Sequence, residues 1–411
     1  MRKGLLILIA IGVCASMQLS VTAQSVNSVP ASFNSGETAA PASAAASLTA
    51  ADLKKKLDEA KEMLKSQANF AGGNTVVLAV LNRNTSVIDL VSMPKQSFLT
   101  KGLTFSTTSQ SGHAINVTIL RANGVNTAVR VTDPATGAEL LPLTVAFPIV
   151  KGGSITEIAY YTSAHPAVLV SDVAAAGEAY ITTMLDRATH ELEANGVHVS
   201  ADIVDVAEHL CVVEHTDHKR FMTEQPAVLL PEITSLYALN QGNTFRYSVS
   251  TAGAGGMIQM IPRTYEGIRQ QHPTVPLQAE FVTGMRDHAN ALKAMLLYMN
   301  DTWSNLAASS EVQEALRNGI ATKPELLAAG YNSNPARLPI YLKNGGANWK
   351  TLIPAETQMY LQIYGQVDLH VKFNSSTASN SDTTVNAVAL AANPRPIGVV
   401  GWISSLLGRV L

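Results

Sequence analysis

Residues 250–262 read Ser-Thr-Ala-Gly-Ala-Gly-Gly-Met-Ile-Gln-Met-Ile-Pro. A turn of small residues leads here directly into a short apolar segment, which contains one uncharged polar residue, Gln259, and ends at Pro262. A glutamine amide buried between two methionines destabilises a fold unless another group hydrogen-bonds to it. We therefore expect a ligand rich in amide and hydroxyl groups to pair with the Gln259 side chain.

The size and charge of the chain limit what it can do. Its 411 residues, of which 46% are hydrophobic, suffice for two or three domains with sizeable cores. The formal net charge is −2 and no basic block occurs. This balance argues against nucleic acid as a partner.

The N-terminus has the pattern of a secretory signal peptide. Arg2 and Lys3 precede an apolar segment, residues 4–13, that is too short to span a membrane. Val21-Thr22-Ala23 provides a small-residue cleavage site. The sequence therefore predicts a signal peptide over residues 1–23 and a mature chain that begins at Gln24.

The two cysteines bear on the same question. Cys14 would be the anchor of a lipoprotein, but Val13 before it is larger than the small residue that lipidation favours. Removal of the signal peptide leaves Cys211 as the only cysteine, so that no internal disulfide can form. Export without a disulfide is typical of the periplasm or cell envelope, where we expect this protein to act.

Composition divides the mature chain into four parts. Residues 24–50 are rich in Ser, Ala and Pro and predict a disordered linker. Residues 51–170 contain a leading helix and seven short β-branched runs, which predict a small β-sandwich or barrel. Residues 171–370 are mostly helical in pattern, and residues 371–411 combine a second linker with an apolar tail. The predicted fold class is α+β, with a smaller β-rich domain before an α-rich domain.

The apolar tail, residues 397–411, is too short to cross a membrane. It fits an interfacial helix, a docking peptide or a segment packed on the protein. Membrane contact is expected through this tail alone.

Four segments, taken in order, resemble the soluble lytic transglycosylases and goose-type lysozymes, which cleave the glycan strands of peptidoglycan. The glycine-rich turn and its apolar segment resemble the Gly-Leu-Met-Gln-Leu-Met-Pro signature of this family. Residues 328–332, Ala-Ala-Gly-Tyr-Asn, resemble its Ala-Ala-Tyr-Asn motif, and residues 354–360, Pro-Ala-Glu-Thr-Gln-Met-Tyr, resemble its Pro-x-Glu-Thr-x-x-Tyr motif. The amphipathic residues 281–299 fit its core helix. The resemblance implies a lysozyme-like catalytic domain with a groove for the glycan.

The resemblance also implies roles for individual residues. Gln259, Tyr331 and Asn332 would line the sugar groove, and Tyr360 would help to hold the catalytic acid. Ser250 would close the turn or bond an N-acetyl group. Without the resemblance, Tyr331 also fits a core tyrosine at the end of a helix.

Glycan cleavage needs a carboxylic acid that stays protonated near neutral pH. Ser200 caps a predicted helix with an apolar stripe, and Glu214 lies on that stripe at the C-terminal end. Burial and the helix dipole would both raise the pKa of a carboxyl group there. Asp205 and Glu208 are expected on the outer face of this helix. From the residues alone, Glu214 also fits a frayed last turn in solvent.

The spacing between Glu214 and the turn departs from the family, because it is about three times the usual gap. A short-gap alignment would place the acid near residues 241–243, Gln-Gly-Asn, where no carboxylate exists. Either residues 216–245 are an insertion and Glu214 is the acid, or the protein is inactive. Glu224 and Glu232 compete within the insertion, but neither ends a buried helical stripe. Glu214 is therefore the predicted catalytic residue.

A dense set of metal-ligating residue types surrounds Glu214: His209, Cys211, His215, Asp217 and His218. Their spacing matches no standard zinc motif, and helical geometry would spread them around the axis. The sequence predicts neither a metal site nor a cofactor.

The main hypothesis is a lytic transglycosylase that cleaves the MurNAc-β-1,4-GlcNAc bond and forms 1,6-anhydro-MurNAc, with Glu214 as its acid and base. A hydrolase of the goose-lysozyme type is one alternative. A catalytically inactive protein that binds peptidoglycan as a scaffold is the other. The expected partners are glycan strands and a protein of an envelope machine for motility, secretion or division.

Overall fold

A computed structural model describes residues 49–165, 168, 171–250 and 252–373. The predicted signal peptide, and all but the edges of the predicted N-terminal linker and C-terminal tail, lie outside these residues. The described residues belong to one compact unit. Among them, no helix combines the length and the hydropathy needed to cross a bilayer.

All seven β-branched runs of the N-terminal part form strands. The strands are β1 (Thr75–Asn82), β2 (Val87–Pro94), β3 (Thr104–Thr108), β4 (Ala114–Arg121), β5 (Ala128–Thr132), β6 (Glu139–Lys151) and β7 (Ser154–Tyr161). They form one antiparallel sheet in the order β2-β1-β6-β5-β4-β3, in which β7 also pairs with β6. The expected sandwich or barrel is thus a single sheet, curved as a half-barrel.

Both faces of this sheet are buried at its centre. Successive side chains of a strand point to opposite faces. In β1, Val76, Leu78 and Val80 enter one core, whereas Val77, Ala79 and Leu81 enter another. Helix α1 (Ala50–Gln67) covers the second face with a few apolar side chains, among them Leu53, Ala60 and Leu64.

The rest of the described chain is mostly helical, so the protein is α+β. After the short α2 (Lys95–Phe98), the helices are α3 (Ser171–Ala194), α4 (Ala201–Val213), α5 (His218–Phe221), α6 (Pro226–Asn240), α7 (Pro262–Gln271), α8 (Phe281–Arg286), α9 (His288–Ala307), α10 (Ser310–Arg317), α11 (Lys323–Asn332), α12 (Leu338–Gly345) and α13 (Ala355–His370). Helix α9 is central, and all of its first ten residues are buried.

The single core helix expected over residues 281–299 is broken at Asp287. The backbone of this residue is extended, with φ −98° and ψ 109°, and its side chain accepts from the Asn290 amide at 3.3 Å. A side chain that caps the N-terminus of α9 in this way starts a new helix. The apolar periodicity continues across the break, so the pattern alone gave no sign of it.

Helix α6 lies within the expected insertion and joins the sheet to the helices. Its Leu236 enters the core beneath the sheet. The Asn240 side chain bonds the backbone of Thr162, just beyond β7, as donor to its oxygen and as acceptor from its nitrogen, both at 2.8 Å. Its Glu232 accepts from Arg121 of β4 at 2.9 Å and from Arg220 of α5 at 2.7 and 2.8 Å. The insertion is therefore an anchored part of the fold.

Glu208 on α4 is buried, contrary to the expectation that it faces outward. Only 3% of its surface is exposed, because α3 covers it, and the Thr182 hydroxyl donates to its carboxylate at 2.6 Å. Asp205 is exposed, as expected. Burial raises the pKa of Glu208 above its usual value of 4.5.

The variant Glu208→Gln tests whether ionisation of this buried acid lowers the stability of the fold. Because the folded-state pKa is raised, ionisation of Glu208 opposes folding increasingly as the pH rises above 4.5. Glutamine keeps an oxygen for Thr182 but carries no charge. The stability of the variant relative to the wild type, measured by urea unfolding, should therefore rise between pH 4 and pH 8. Asp58→Asn, at an exposed position of α1, is the control for the loss of a carboxylate; a trend equal to that of Glu208→Gln would contradict the assignment.

A second test concerns the close contact between α3 and α6 at Gly177. A Cβ atom at this position would lie 1.7 Å from the backbone oxygen of Thr234, which cannot move alone. We expect Gly177→Ala to lower the free energy of unfolding by about 1–3 kcal/mol or more, because overpacked cores must shift their backbone. Gly365→Ala on α13 is the control, since nothing lies within 4 Å of its added Cβ. The control should be neutral or stabilising in thermal unfolding.

Candidate active site

Glu214 ends α4, and every carbonyl of the last helical turn has a partner. The carbonyls of residues 210–213 accept, in order, from the Glu214 amide, the Tyr237 hydroxyl, the Thr216 hydroxyl and the Thr216 amide, at 3.0, 2.9, 3.0 and 3.1 Å. A helix C-terminus normally leaves these carbonyls free. Their partners here hold the helix in shape up to Glu214, rather than leaving a frayed turn.

The Glu214 carboxyl group is partly buried and has one close polar neighbour. The Tyr360 hydroxyl on α13 donates to its Oε1 at 2.6 Å. The pKa of Glu214 is raised to about 8, because enclosure by protein and, to a smaller extent, the charge of Glu356 outweigh the lowering effect of the Tyr360 bond. The carboxyl is therefore largely protonated at pH 7.

The glycine-rich segment beside Glu214 forms a tight turn. Gly255 makes isolated antiparallel bridges to Val249 and Met260. Gly256 has φ +70°, and a Cβ there would lie 2.4 Å from the backbone oxygen of Met285. Only glycine fits at position 256, because both the left-handed backbone and the close approach exclude a side chain.

Three consecutive carbonyls of this turn, Gly256, Met257 and Ile258, each accept a hydrogen bond from a side chain. The donors, in order, are Gln259 Nε2 at 2.8 Å, His215 Nε2 at 2.9 Å and the Tyr331 hydroxyl at 2.8 Å. His215 follows Glu214 directly in the chain, and Tyr331 interacts electrostatically with Glu214. Two of the three bonds that hold the turn therefore come from residues that adjoin the acid in the chain or in space.

The expectation that a ligand satisfies Gln259 is wrong for the amide nitrogen. Besides Gly256, this nitrogen also donates to Ser248 Oγ at 3.2 Å, so its partners lie within the turn itself. The backbone of Gln259 has φ +46°, which is unfavourable for a residue with a side chain. The glutamine thus stabilises the turn in a strained conformation and remains partly exposed.

The other predicted residues take structural positions around the same turn. Ser250 closes it, because its Oγ accepts from the Ala254 amide at 3.0 Å. Asn332 ends α11 and joins it to α13, since its Oδ1 accepts from the Thr357 hydroxyl at 2.8 Å. Tyr331 is partly buried, with its ring edge-on to Tyr298. The structure thus groups Glu214, Tyr331 and Tyr360 closely. Ser250 and Gln259 belong to the turn beside them, and Asn332 lies at the contact between α11 and α13.

The competing acids lie elsewhere. Burial opposes ionisation of Glu232, but its bonds to Arg220 and the charge of Arg121 hold its pKa below the usual value. Glu224 pairs with Arg220 at 2.7 Å near the surface. With its pKa lowered, Glu232 is not a suitable donor of a proton near neutral pH.

The dense set of His, Cys and Asp residues is spread over different surroundings. Cys211 is buried in the helical core, and His209 lies 3.4 Å from Asp368. Asp217 caps α5. Within the part of the chain that the structure describes, no three His, Cys, Asp or Glu side chains are grouped as metal ligands.

The sequence patterns missed three residues that shape the site: His215, Phe245 and Ser248. The His215 ring lies flat on Phe245, with ring centroids 3.4 Å apart and an interplanar angle of 3°. Phe245 has φ +53°. The position of His215 next to the acid was the one available signal, since neither the stacking nor the backbone angle is encoded in a local pattern.

The arrangement can deliver a proton to a bound group at neutral pH. It offers one enclosed carboxylic acid, a hydroxyl that stabilises its ionised form, and an adjacent turn with partly exposed polar side chains. No family model, curated protein or solved structure matches this chain, so the functional argument depends on this geometry.

Proposed function

We propose that the protein is a peptidoglycan lytic transglycosylase with Glu214 as its acid and base. The observation that carries the proposal is the Glu214 carboxyl, with its pKa raised to about 8 by burial and with the Tyr360 hydroxyl 2.6 Å from its Oε1. A group protonated at pH 7 that can also exist as a stabilised anion can donate a proton and then accept one.

The proposed reaction uses one carboxyl group in both steps. Glu214 gives its proton to the O4 atom of GlcNAc, and the bond from C1 of MurNAc to that oxygen breaks with its electrons going to the oxygen. The C6 hydroxyl oxygen of the same MurNAc then attacks the oxocarbenium-like C1. Its proton passes to the Glu214 carboxylate, which restores the acid and closes the 1,6-anhydro ring. No water is consumed.

The surroundings of Glu214 favour a single acid over the paired carboxylates of most glycosidases. Glu356 is the acidic side chain whose charge acts on Glu214, and it lies exposed on the first turn of α13. Its negative charge helps to keep Glu214 protonated, which is the state needed to begin the reaction.

The proposal includes the expected organisation and location. Residues 171–370 would be the lysozyme-like catalytic domain and residues 51–170 the β-rich accessory domain. Tyr331, Asn332, Gln259 and Ser250 would face the sugar rings with whatever polar atoms the turn leaves free. The protein would act on glycan strands in the periplasm or cell envelope, recruited by a partner protein there.

The variant Glu214→Gln tests the proposed acid. The wild type should release anhydro-muropeptides from peptidoglycan, and the variant should lose this activity by about 10²–10⁴-fold, the usual contribution of general acid–base catalysis. Mass spectrometry of the digest measures the product. Glu224→Gln is the matched control, because this acid lies in the insertion and should be dispensable.

Each alternative has its own outcome in that assay. Products heavier by one water molecule would identify a hydrolase of the goose-lysozyme type. Binding to peptidoglycan with no cleavage by the wild type would identify an inactive scaffold. Wild-type release of anhydro products by Glu214→Gln would reject Glu214 as the acid.

The variant Tyr360→Phe tests the state of that acid. kcat/KM of the wild type should stay constant below about pH 8 and fall above it, because Glu214 must be protonated to act. Tyr360 lowers the pKa of Glu214, so its loss should move this fall to higher pH. A hydrogen bond to a charged group contributes about 1.5–3 kcal/mol, which corresponds to roughly one to two pH units. Tyr341→Phe on α12 should leave the pH profile unchanged; a shift to lower pH in Tyr360→Phe would contradict the assignment.

A further inference from the structure

We propose that His215 is the positioning residue of this site, and that its imidazole fixes the glycine-rich turn against Glu214 without taking part in proton transfer. The inference rests on the proposed function for its consequence in catalysis. The geometry on which it depends is independent of that function.

The hydrogen bond of His215 crosses between two elements that are far apart in the chain. Its Nε2 lies 2.9 Å from the Met257 oxygen, 42 residues onward. A carbonyl can only accept, so Nε2 carries the proton. Because His215 is bonded to Glu214 through one peptide link, any movement of the turn relative to His215 also changes its distance from the acid.

The opposite contact of His215 is the ring of Phe245. The two rings are parallel at 3.4 Å between centroids, and the Thr244 carbonyl next to Phe245 accepts from His288 Nε2 at 2.9 Å. The end of residues 216–245 is therefore held at the site by two histidines. His215 stacks on the Phe245 ring, and His288 donates to the Thr244 carbonyl. His215 thus contacts both the end of the insertion and the turn that follows it.

The imidazole is suited to hold a fixed position over the working pH range. Burial lowers the pKa of His215 to about 3. The ring is therefore neutral near pH 7 and over the range around pH 8 in which Glu214 titrates, and it adds no charge that would lower the pKa of the acid. A neutral ring with its one proton engaged by Met257 has no proton to transfer to a substrate. Its neutral state and its engaged proton therefore identify His215 as a positioning residue and not as a second catalytic acid.

The environment of Glu214 provides a readout for this role. The groups that interact electrostatically with its carboxyl are Cys211 on α4, Tyr237 on α6, Tyr331 on α11, and Glu356 and Tyr360 on α13. A substitution at His215 removes none of these groups. A shift in the pKa of Glu214 in such a variant would therefore report a change in its enclosure, which depends on the turn.

The experiment compares His215→Leu with His215→Gln in the full chain. The two side chains are similar in size and both lack the ring, but the glutamine amide keeps a donor that can reach the Met257 oxygen. Carbon-13 NMR of labelled glutamate carboxyls gives the Glu214 pKa, and circular dichroism with thermal unfolding reports folding. His190→Leu, at an exposed position of α3, controls for a new leucine.

The expected result is a difference between the two variants. In His215→Leu the turn should open to water and the Glu214 pKa should fall by about one unit or more toward its usual value, since burial is the cause of the shift. His215→Gln should stay within about half a unit of the wild type by the same reasoning. Where glycan cleavage is measurable, kcat/KM should fall about tenfold or more in the leucine variant, as expected when reacting groups are misplaced.

A measurement on the wild type makes the test independent of how the variants fold. Nitrogen-15 NMR should show His215 as the neutral tautomer protonated at Nε2, from pH 4 to pH 8. Titration of His215 within that range, or protonation at Nδ1, would overturn the proposal. So would equal Glu214 pKa values in the leucine and glutamine variants. A wild-type Glu214 that titrates near 4.5 would instead contradict the proposed function. The bond from His215 to Met257 would still be tested by the nitrogen-15 spectrum.

Discussion

The carbonyl groups of Gly256, Met257 and Ile258 impose the constraint around which the helical half of the protein is arranged. They lie in a turn that is neither helix nor strand, and a buried carbonyl left unpaired there would cost free energy. Gln259, His215 and Tyr331 supply the donors, from the turn itself, from the end of α4 and from α11. Two of these donors also adjoin Glu214, since His215 follows it in the chain and Tyr331 interacts with it electrostatically. The hydrogen bonding of the turn and the surroundings of the acid therefore share residues.

The segment between Glu214 and the turn, residues 216–245, completes the end of α4 that carries Glu214. Tyr237 of α6 donates to the Cys211 carbonyl at 2.9 Å and so replaces a bond that the helix lacks at its end. Phe245, at the end of the insertion, stacks on His215. The long gap in sequence therefore corresponds to a short distance in space, bridged by residues that support both sides.

Much of this organisation follows from local sequence patterns. The seven β-branched runs and the helical span of α4 up to Glu214 depend on alternation and periodicity, which act over a few residues. Ser200 precedes α4 as expected, but its hydroxyl makes no capping bond and donates to Asp202 instead. The burial of Glu208, the break at Asp287 and the stacking of His215 on Phe245 depend on which elements meet in space. No local pattern encodes those meetings. Gln259 illustrates both cases, since its unusual position was evident but its partners within the turn were not.

The Asn240 side chain bonds both the oxygen and the nitrogen of Thr162, so α6 is joined to the backbone just beyond β7 like an added strand residue. Four residues later the chain reaches Thr244 and Phe245, where it meets the site. The sheet is thus joined to the site by a short path of hydrogen-bonded and stacked residues. A load applied to the sheet, as when the protein is held by a larger assembly, would be transmitted to the turn instead of being absorbed by a flexible connection.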